Sequence, residues 1–194
     1  MIAFDLDDVI IDITPILAKP VMEYLSFDCY KPGRKFKYTC PNYSEEKIYD
    51  FVHSILLKNT LKAMPCYYSL EIVKQVYEIT NKPVIFITAR FKMLEEVTHQ
   101  WLDLYLDVPY ELFFSDKKEE IILDRNIKTF VDDRYKTVIK LSEICNVYMI
   151  SQPWNFGREV PKNVVRIDTL KEINLEDIWF KKLIDGKKFQ KMDY

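Results

Sequence analysis

Four clusters of polar residues could do chemistry together. Asp5, Asp7 and Asp8 end the apolar run Ile2-Ala3-Phe4. Thr88-Ala89-Arg90 ends Pro83-Val84-Ile85-Phe86-Ile87, and Ser115-Asp116-Lys117-Lys118 follows Tyr110-Glu111-Leu112-Phe113-Phe114. Asp132-Asp133-Arg134 follows Lys128-Thr129-Phe130-Val131. Crowded carboxylates repel one another, and burying them is costly unless a cation is present. Two or three of them can hold Mg²⁺ through hard oxygen ligands and leave positions for water and a substrate phosphate. Such an ion offsets the repulsion between an anionic nucleophile and an anionic phosphate. A carboxylate can attack phosphorus and form an acyl phosphate. A second carboxylate two residues on can protonate the leaving oxygen and then deprotonate water. A hydroxyl with backbone N–H groups at a helix N-terminus can hold phosphate oxygens, and a lysine can neutralise developing charge.

Taken singly, each cluster has an ordinary reading. Asp-x-Asp is common in turns, a strand-ending threonine caps the next helix, and paired lysines are usually solvated. The ordered set decides, because each member follows an apolar run that reads as a buried strand. In a parallel sheet all strand ends lie on one side, so the four clusters converge on one cleft.

The positioning elements can be read from periodicity. Strands are expected at the four runs above, at Asn146-Val147-Tyr148-Met149-Ile150, and at an edge strand Val164-Val165-Arg166-Ile167. Helical spacing covers Ser69 to Thr80, capped by Ser69, then Lys92 to Leu106, Lys117 to Leu123, Tyr135 to Ile144 and Thr169 to Leu183. Strands alternating with helices imply right-handed parallel β-α units. One connection is too long. About seventy-five residues separate the first two sheet strands, far more than a crossover needs. They contain amphipathic patterns at Thr14 to Phe27 and at Glu45 to Lys58, the latter capped by Asn42 or Ser44, around a patternless stretch from Cys29 to Tyr43. The expected organisation is an α/β core of residues 1-13 and 78-194, with residues 14-77 as a helical cap inserted after the first strand.

Composition narrows the partners. The 194 residues are 48% hydrophobic and 30% charged, with a formal net charge of −2. That balance gives no electrostatic case for nucleic acid or an anionic membrane. The lysines from Lys181 to Lys191 read as a solvated end. No apolar stretch approaches the roughly 20 residues that span a bilayer. The first strand starts at residue 2 and its aspartates would spoil an apolar leader, so a cytoplasmic location is expected. Cys29, Cys40, Cys66 and Cys145 form no C-x-x-C pair. They read as reduced thiols, rather than Cys29, Cys40 and Cys66 forming a zinc cluster with His53. His53 and His99 fall on helical patterns, away from the strand ends. The three glycines, Gly33, Gly157 and Gly186, form neither a dinucleotide fingerprint nor a phosphate loop.

Ile2-Ala3-Phe4-Asp5-Leu6-Asp7-Asp8-Val9 resembles the hhhhDxDx[TV] motif of the haloacid dehalogenase (HAD) superfamily of aspartate-nucleophile phosphohydrolases. The resemblance implies a Rossmann-like parallel sheet with a small helical cap. It makes Asp5 the nucleophile and a metal ligand. Asp7 becomes the general acid/base, with its backbone carbonyl on the metal. Thr88 becomes a phosphate ligand, with Ala89 and Arg90 beside it. The motif lysine is Lys117 or Lys118, with Lys117 favoured because it directly follows Ser115-Asp116. Of the pair Asp132 and Asp133, Asp133 is expected to complete the Mg²⁺ shell and Asp132 to orient a water or the lysine. Ile87-Thr88-Ala89-Arg90 and Ser151-Gln152-Pro153-Trp154-Asn155 resemble the 5'(3')-deoxyribonucleotidase branch, which implies a nucleoside monophosphate substrate. Asp8 stands where that branch commonly has glycine, and is read as shaping the turn into the cap. Phe27, Tyr30, Phe36, Tyr38 and Tyr43 are candidates to stack a base. The alternatives are another phosphoester (a sugar phosphate, a nucleic-acid end or a phosphopeptide) or a non-catalytic HAD-like binding module. A homodimer is left open, and no membrane partner is expected.

Overall fold

The computed structural model describes residues 1–25 and 43–176. In chain order the elements are β1 (Ile2–Phe4), β2 (Ile11–Asp12), α1 (Thr14–Leu25), α2 (Glu45–Asn59), β3 (Met64–Pro65), α3 (Ser69–Thr80), β4 (Val84–Thr88), α4 (Glu95–Tyr105), β5 (Tyr110–Phe114), α5 (Lys118–Asp124), β6 (Thr129–Asp132), α6 (Tyr135–Leu141), β7 (Asn146–Ile150) and β8 (Val164–Ile167). Cys29, Cys40, Phe27, Tyr30, Phe36 and Tyr38 lie outside the described residues, as does the helix expected beyond residue 176.

Among the described residues, six strands form a parallel sheet in the order β5-β4-β1-β6-β7-β8. The chain winds outward from β1 to β5, then returns to β6 and winds the other way. The reversal puts a crevice at the C-terminal ends of β1 and β6, where open α/β sheets bind ligands. The central strands are apolar throughout because helices cover both faces. Every residue of β1 and β4 is buried. Ala3 pairs with Ile85 on one side and Phe130 on the other, which fixes the register of the strand ends.

The inserted segment is tied to the sheet rather than hung from it. Leu17, Val21, Ile48 and Val52 share one buried cluster with Phe4, Phe86 and Trp101. The two linkers pair as the antiparallel strands β2 and β3, Ile11 opposite Pro65 and Asp12 opposite Met64. The Cys66 N–H donates to the Ile10 carbonyl at 2.9 Å. Two-residue strands leave no periodicity to read, which is why the sequence pattern misses them. Helix α3 runs unbroken through residue 77, where the cap was expected to end, and buries Ile72, Val73 and Val76. A seam between insert and core would fall before it.

Helix caps show one departure from expectation. Ser44 caps α2, its hydroxyl accepting from the Lys47 N–H at 3.3 Å. Ser69 does not cap α3. The cap is Tyr68 in the left-handed region (φ 64°), and Ser69 is the first helical residue. Its buried hydroxyl has no hydrogen-bond partner among the described residues. Tyr68 takes the turn out of strand β3, so the helix starts one residue earlier than a Ser69 cap implies. No helix among the described residues is long and apolar enough to cross a membrane.

Trp101 makes the tie testable. It is fully buried, and its indole N–H donates to the Ala63 carbonyl at 2.8 Å, joining α4 to the returning linker. Replacing it with phenylalanine orphans that carbonyl, at a cost of about 1–3 kcal/mol. Urea unfolding of Trp101→Phe should show an unfolding free energy lower by that amount, with the midpoint shifted down accordingly. An unshifted midpoint would show that this bond does not hold the linker.

Candidate active site

The end of β1 sets the geometry. The Asp5 N–H donates to the Val131 carbonyl at 2.9 Å, which holds the residue beside β6. The Leu6 carbonyl then accepts from the Ile10 and Ile11 N–H groups, at 2.8 and 2.9 Å, and closes a tight loop. Asp8 sits in that loop in the left-handed region (φ 57°), a conformation that aspartate tolerates better than most residues. Its Oδ1 accepts from the Ile13 N–H, the Thr14 N–H and the Thr14 hydroxyl, each at 3.1 Å. Asp8 therefore binds the start of α1 and points its carboxylate toward the insert.

Lys118, rather than Lys117, enters the site. Lys117 is 65% exposed and meets Glu120 on the surface. The Lys118 side chain is 3% exposed, and its Nζ lies 2.8 Å from Asp5 Oδ1 and 2.7 Å from Asp132 Oδ2. The turn before α5 explains the choice. The Ser115 N–H donates to the Thr88 carbonyl at 2.8 Å, and the Ser115 hydroxyl accepts from the Lys117 N–H at 3.0 Å. Lys117 becomes the cap residue and Lys118 the first residue of the helix, aimed inward. Adjacent lysines of equal type carry no mark of which one the turn will bury.

Burial pushes the Asp5 carboxyl above the usual carboxylate range. Lys118 pulls it back, and the charges of Asp132 and Asp7 push it up again. For Lys118, burial opposes its charge, but Asp132 and Asp5 outweigh that and hold it protonated. Asp132 is fixed from its other oxygen by the Arg134 N–H at 2.7 Å, so it orients the ammonium.

Asp133 is held by the loop that follows β7. The Trp154 indole N–H donates to Asp133 Oδ2 at 2.7 Å. The fully buried Asn155 donates from Nδ2 to the carbonyls of Asp133 and Ile150, both at 2.7 Å. Its Oδ1 accepts from Arg166 Nη1 on β8 at 2.8 Å. Gln152 Nε2 reaches the Asp8 carbonyl at 3.3 Å, linking this loop to the β1 turn. A buried asparagine after a strand was the available signal, but its targets are main-chain atoms that no pattern displays.

Thr88 is buried, and its hydroxyl accepts from the Arg90 N–H at 3.2 Å, leaving its own O–H to donate. Ala89 is half-buried beside it. Arg90 forms an ion pair within the site. Its guanidinium binds Asp7 Oδ1 from Nε at 2.9 Å and from Nη2 at 2.6 Å, and binds Thr98 through Nη1. An arginine two residues past a buried strand end meets the nearest carboxylate before it meets solvent.

From the insert, His53 of α2 packs its ring on Phe91, centroids 3.9 Å apart, with Tyr49 alongside. Burial holds the imidazole below its ordinary pKa, opposed by Asp50 and Asp7. His99 instead meets the Tyr110 hydroxyl at 2.9 Å on the other side of α4. Burial keeps the Cys66 thiol protonated, pushing its pKa well up.

Asp5, Asp132 and Asp133 offer carboxylate oxygens within 4.8 Å of one another. Lys118 meets two of the three, Asp5 and Asp132, while Asp133 takes the Trp154 indole N–H. All-oxygen donors of this kind suit a hard divalent cation such as Mg²⁺. The Asp7 carboxylate stands outside that trio, on Arg90.

No family model matches the chain. In fold the chain is similar to a HAD hydrolase of family IA, variant 3, from Entamoeba histolytica. The TM-score is 0.63 at 15% identity, over 92% of this chain and 97% of that one. The chain thus has the fold of the HAD hydrolases. In sequence it is similar to "Putative nucleotidase YqfW" of Bacillus subtilis, 24% identical over 135 residues, which is 66% of each chain. It is also similar to "Putative nucleotidase BH1399" of Halalkalibacterium halodurans, 31% identical over 118 residues, 58% of this chain and 57% of that one. The matches thus span just under two thirds, and somewhat over half, of the lengths of these relatives.

The two lysines give a direct comparison. Lys118→Ala leaves Asp5 and Asp132 buried without their ammonium and should cost roughly 3–5 kcal/mol in metal-free buffer. Lys117→Ala should stay within about 0.5 kcal/mol of the parent. Denaturant titration of both variants checks the assignment, and equal losses would refute it.

Proposed function

We propose that the chain is an Mg²⁺-dependent phosphomonoesterase that works through an aspartyl phosphate on Asp5, with nucleoside and deoxynucleoside monophosphates as substrates. The observation that carries this reading is the buried Lys118 ammonium between Asp5 and Asp132, with Asp133 beside them. A binding module needs no such arrangement of nucleophile, cation and metal donors. The similarity to proteins named as nucleotidases supports the substrate class. The exposed rings of Tyr49 and Phe91, at the foot of α2 and next to Arg90, would suit a flat base. A cytoplasmic location fits such a substrate, and the insert would act as the cap over the cleft.

Asp5, Asp132, Asp133 and the Asp7 backbone carbonyl would hold Mg²⁺, which when bound offsets the repulsion between phosphate and carboxylate. The Thr88 O–H donates to a phosphate oxygen. An Asp5 oxygen attacks phosphorus as the bond to the leaving oxygen breaks, and that oxygen takes a proton from Asp7. Asp7 then takes a proton from water, which attacks the acyl phosphate and returns Asp5 as a carboxylate. Lys118 balances the charge on Asp5 throughout, and Asp132 keeps the ammonium aimed at it.

Purified protein should hydrolyse p-nitrophenyl phosphate with Mg²⁺ and lose that activity with chelator. Asp5→Asn should lower the rate about a thousandfold or more. An active Asp5→Asn enzyme would remove Asp5 as the nucleophile. Across dUMP, dTMP, sugar phosphates and 3'-phosphorylated oligonucleotides, kcat/KM should be highest for the nucleotides. A preference for sugar phosphates would move the substrate class.

A further inference from the structure

We infer that Arg90 is a positioning residue for Asp7, pinning Oδ1 so that Oδ2 is the oxygen that gives up and takes back the proton. The inference rests on the phosphomonoesterase reading above.

Arg90 is anchored at both ends. Its backbone N–H is held by Thr88 Oγ1 at 3.2 Å. At its tip, Nη1 donates to Thr98 Oγ1 at 2.8 Å, and that hydroxyl donates in turn to the Leu94 carbonyl at 2.6 Å. The arginine side chain is 1% exposed and that of Asp7 is 20% exposed. The guanidinium is therefore the fixed member of the pair, and the carboxylate is the member that borders the cleft.

The bonding is also one-sided. Arginine and carboxylate commonly meet fork to fork, with two N–H groups on two oxygens. Here Nε and Nη2 both donate to Oδ1, at 2.9 and 2.6 Å. Oδ2 takes neither of these bonds, so the grip on Oδ1 orients the carboxylate and leaves Oδ2 to meet the leaving oxygen. In the first step the Oδ2 proton passes to the leaving oxygen as that oxygen keeps the electron pair of the broken P–O bond. In the second step Oδ2 takes a proton from the attacking water. Arg90 exchanges no proton in either step.

A phosphate-binding role is the competing assignment for this arginine. It is disfavoured because three of the five N–H groups are already engaged and almost none of the side chain faces solvent.

The leaving group distinguishes the roles. p-Nitrophenolate departs without a proton near neutral pH, whereas the alcohol of dUMP needs one. Single-turnover release of alcohol should be measured for both esters with the parent, Arg90→Lys and Thr98→Val, all with Mg²⁺. Arg90→Lys keeps the charge and loses the two-pronged grip. Its rate with dUMP should fall at least about 30-fold with KM within about twofold, out of the 10²–10⁴ that general acid catalysis contributes. Its p-nitrophenol burst should fall less than about threefold. Thr98→Val should show the same split at smaller amplitude. Equal losses on both esters would make Arg90 structural, and a KM rise on both would make it a phosphate ligand; either result overturns the inference alone. A parent enzyme inactive on both esters overturns the inference and the phosphomonoesterase reading together.

Discussion

A lysine ammonium buried between two carboxylates is the constraint around which the rest of this structure is arranged. Lys118 meets Asp5 and Asp132 at hydrogen-bond distance, and all three are nearly inaccessible to water. Ions in such a place are costly unless their geometry is fixed from outside. The sheet register supplies that geometry. Ala3 lies opposite Phe130, so the residues just past β1 and at the end of β6 stand side by side. The Ser115 turn supplies the rest, since it decides which lysine opens α5.

The supports spread outward from there as interlocked loops. The Asp8 turn is bound to α1 by its carboxylate and to the β7 loop through Gln152. That loop holds Asp133 by Trp154 and Asn155, and Asn155 is held by Arg166 on β8. On the other flank, Arg90 and Thr98 hold Asp7. Each polar group near the cleft is thereby tied to a strand or helix that lies outside it, which is how a loop-built site gains rigidity.

Much of this was legible in the sequence. The boundaries of α3, β5, β7 and β8 are legible because each is an apolar, β-branched or aromatic run or face bounded by polar residues or proline. The convergence of the four polar clusters follows from parallel strand order alone. Three features were not legible. Lys117 and Lys118 are chemically identical neighbours, and only the Ser115 turn separates them. Arg90 reads equally well as a phosphate ligand until Asp7 and Thr98 are placed around it. Ser69 carries the residue type of a cap, but the left-handed Tyr68 takes that position. In each case the outcome depends on backbone direction over two or three residues, which residue type does not encode.

The short pairing of β2 with β3 has a mechanical meaning. The chain leaves the core at Ile11 and comes back at Met64 through one shared clasp. The insert is therefore mounted on a single joint rather than on two separate tethers. The same segment also sinks Leu17, Val21, Ile48 and Val52 into the cluster that holds Phe4 and Phe86, so any shift of it along the sheet must part the clasp and open that core together.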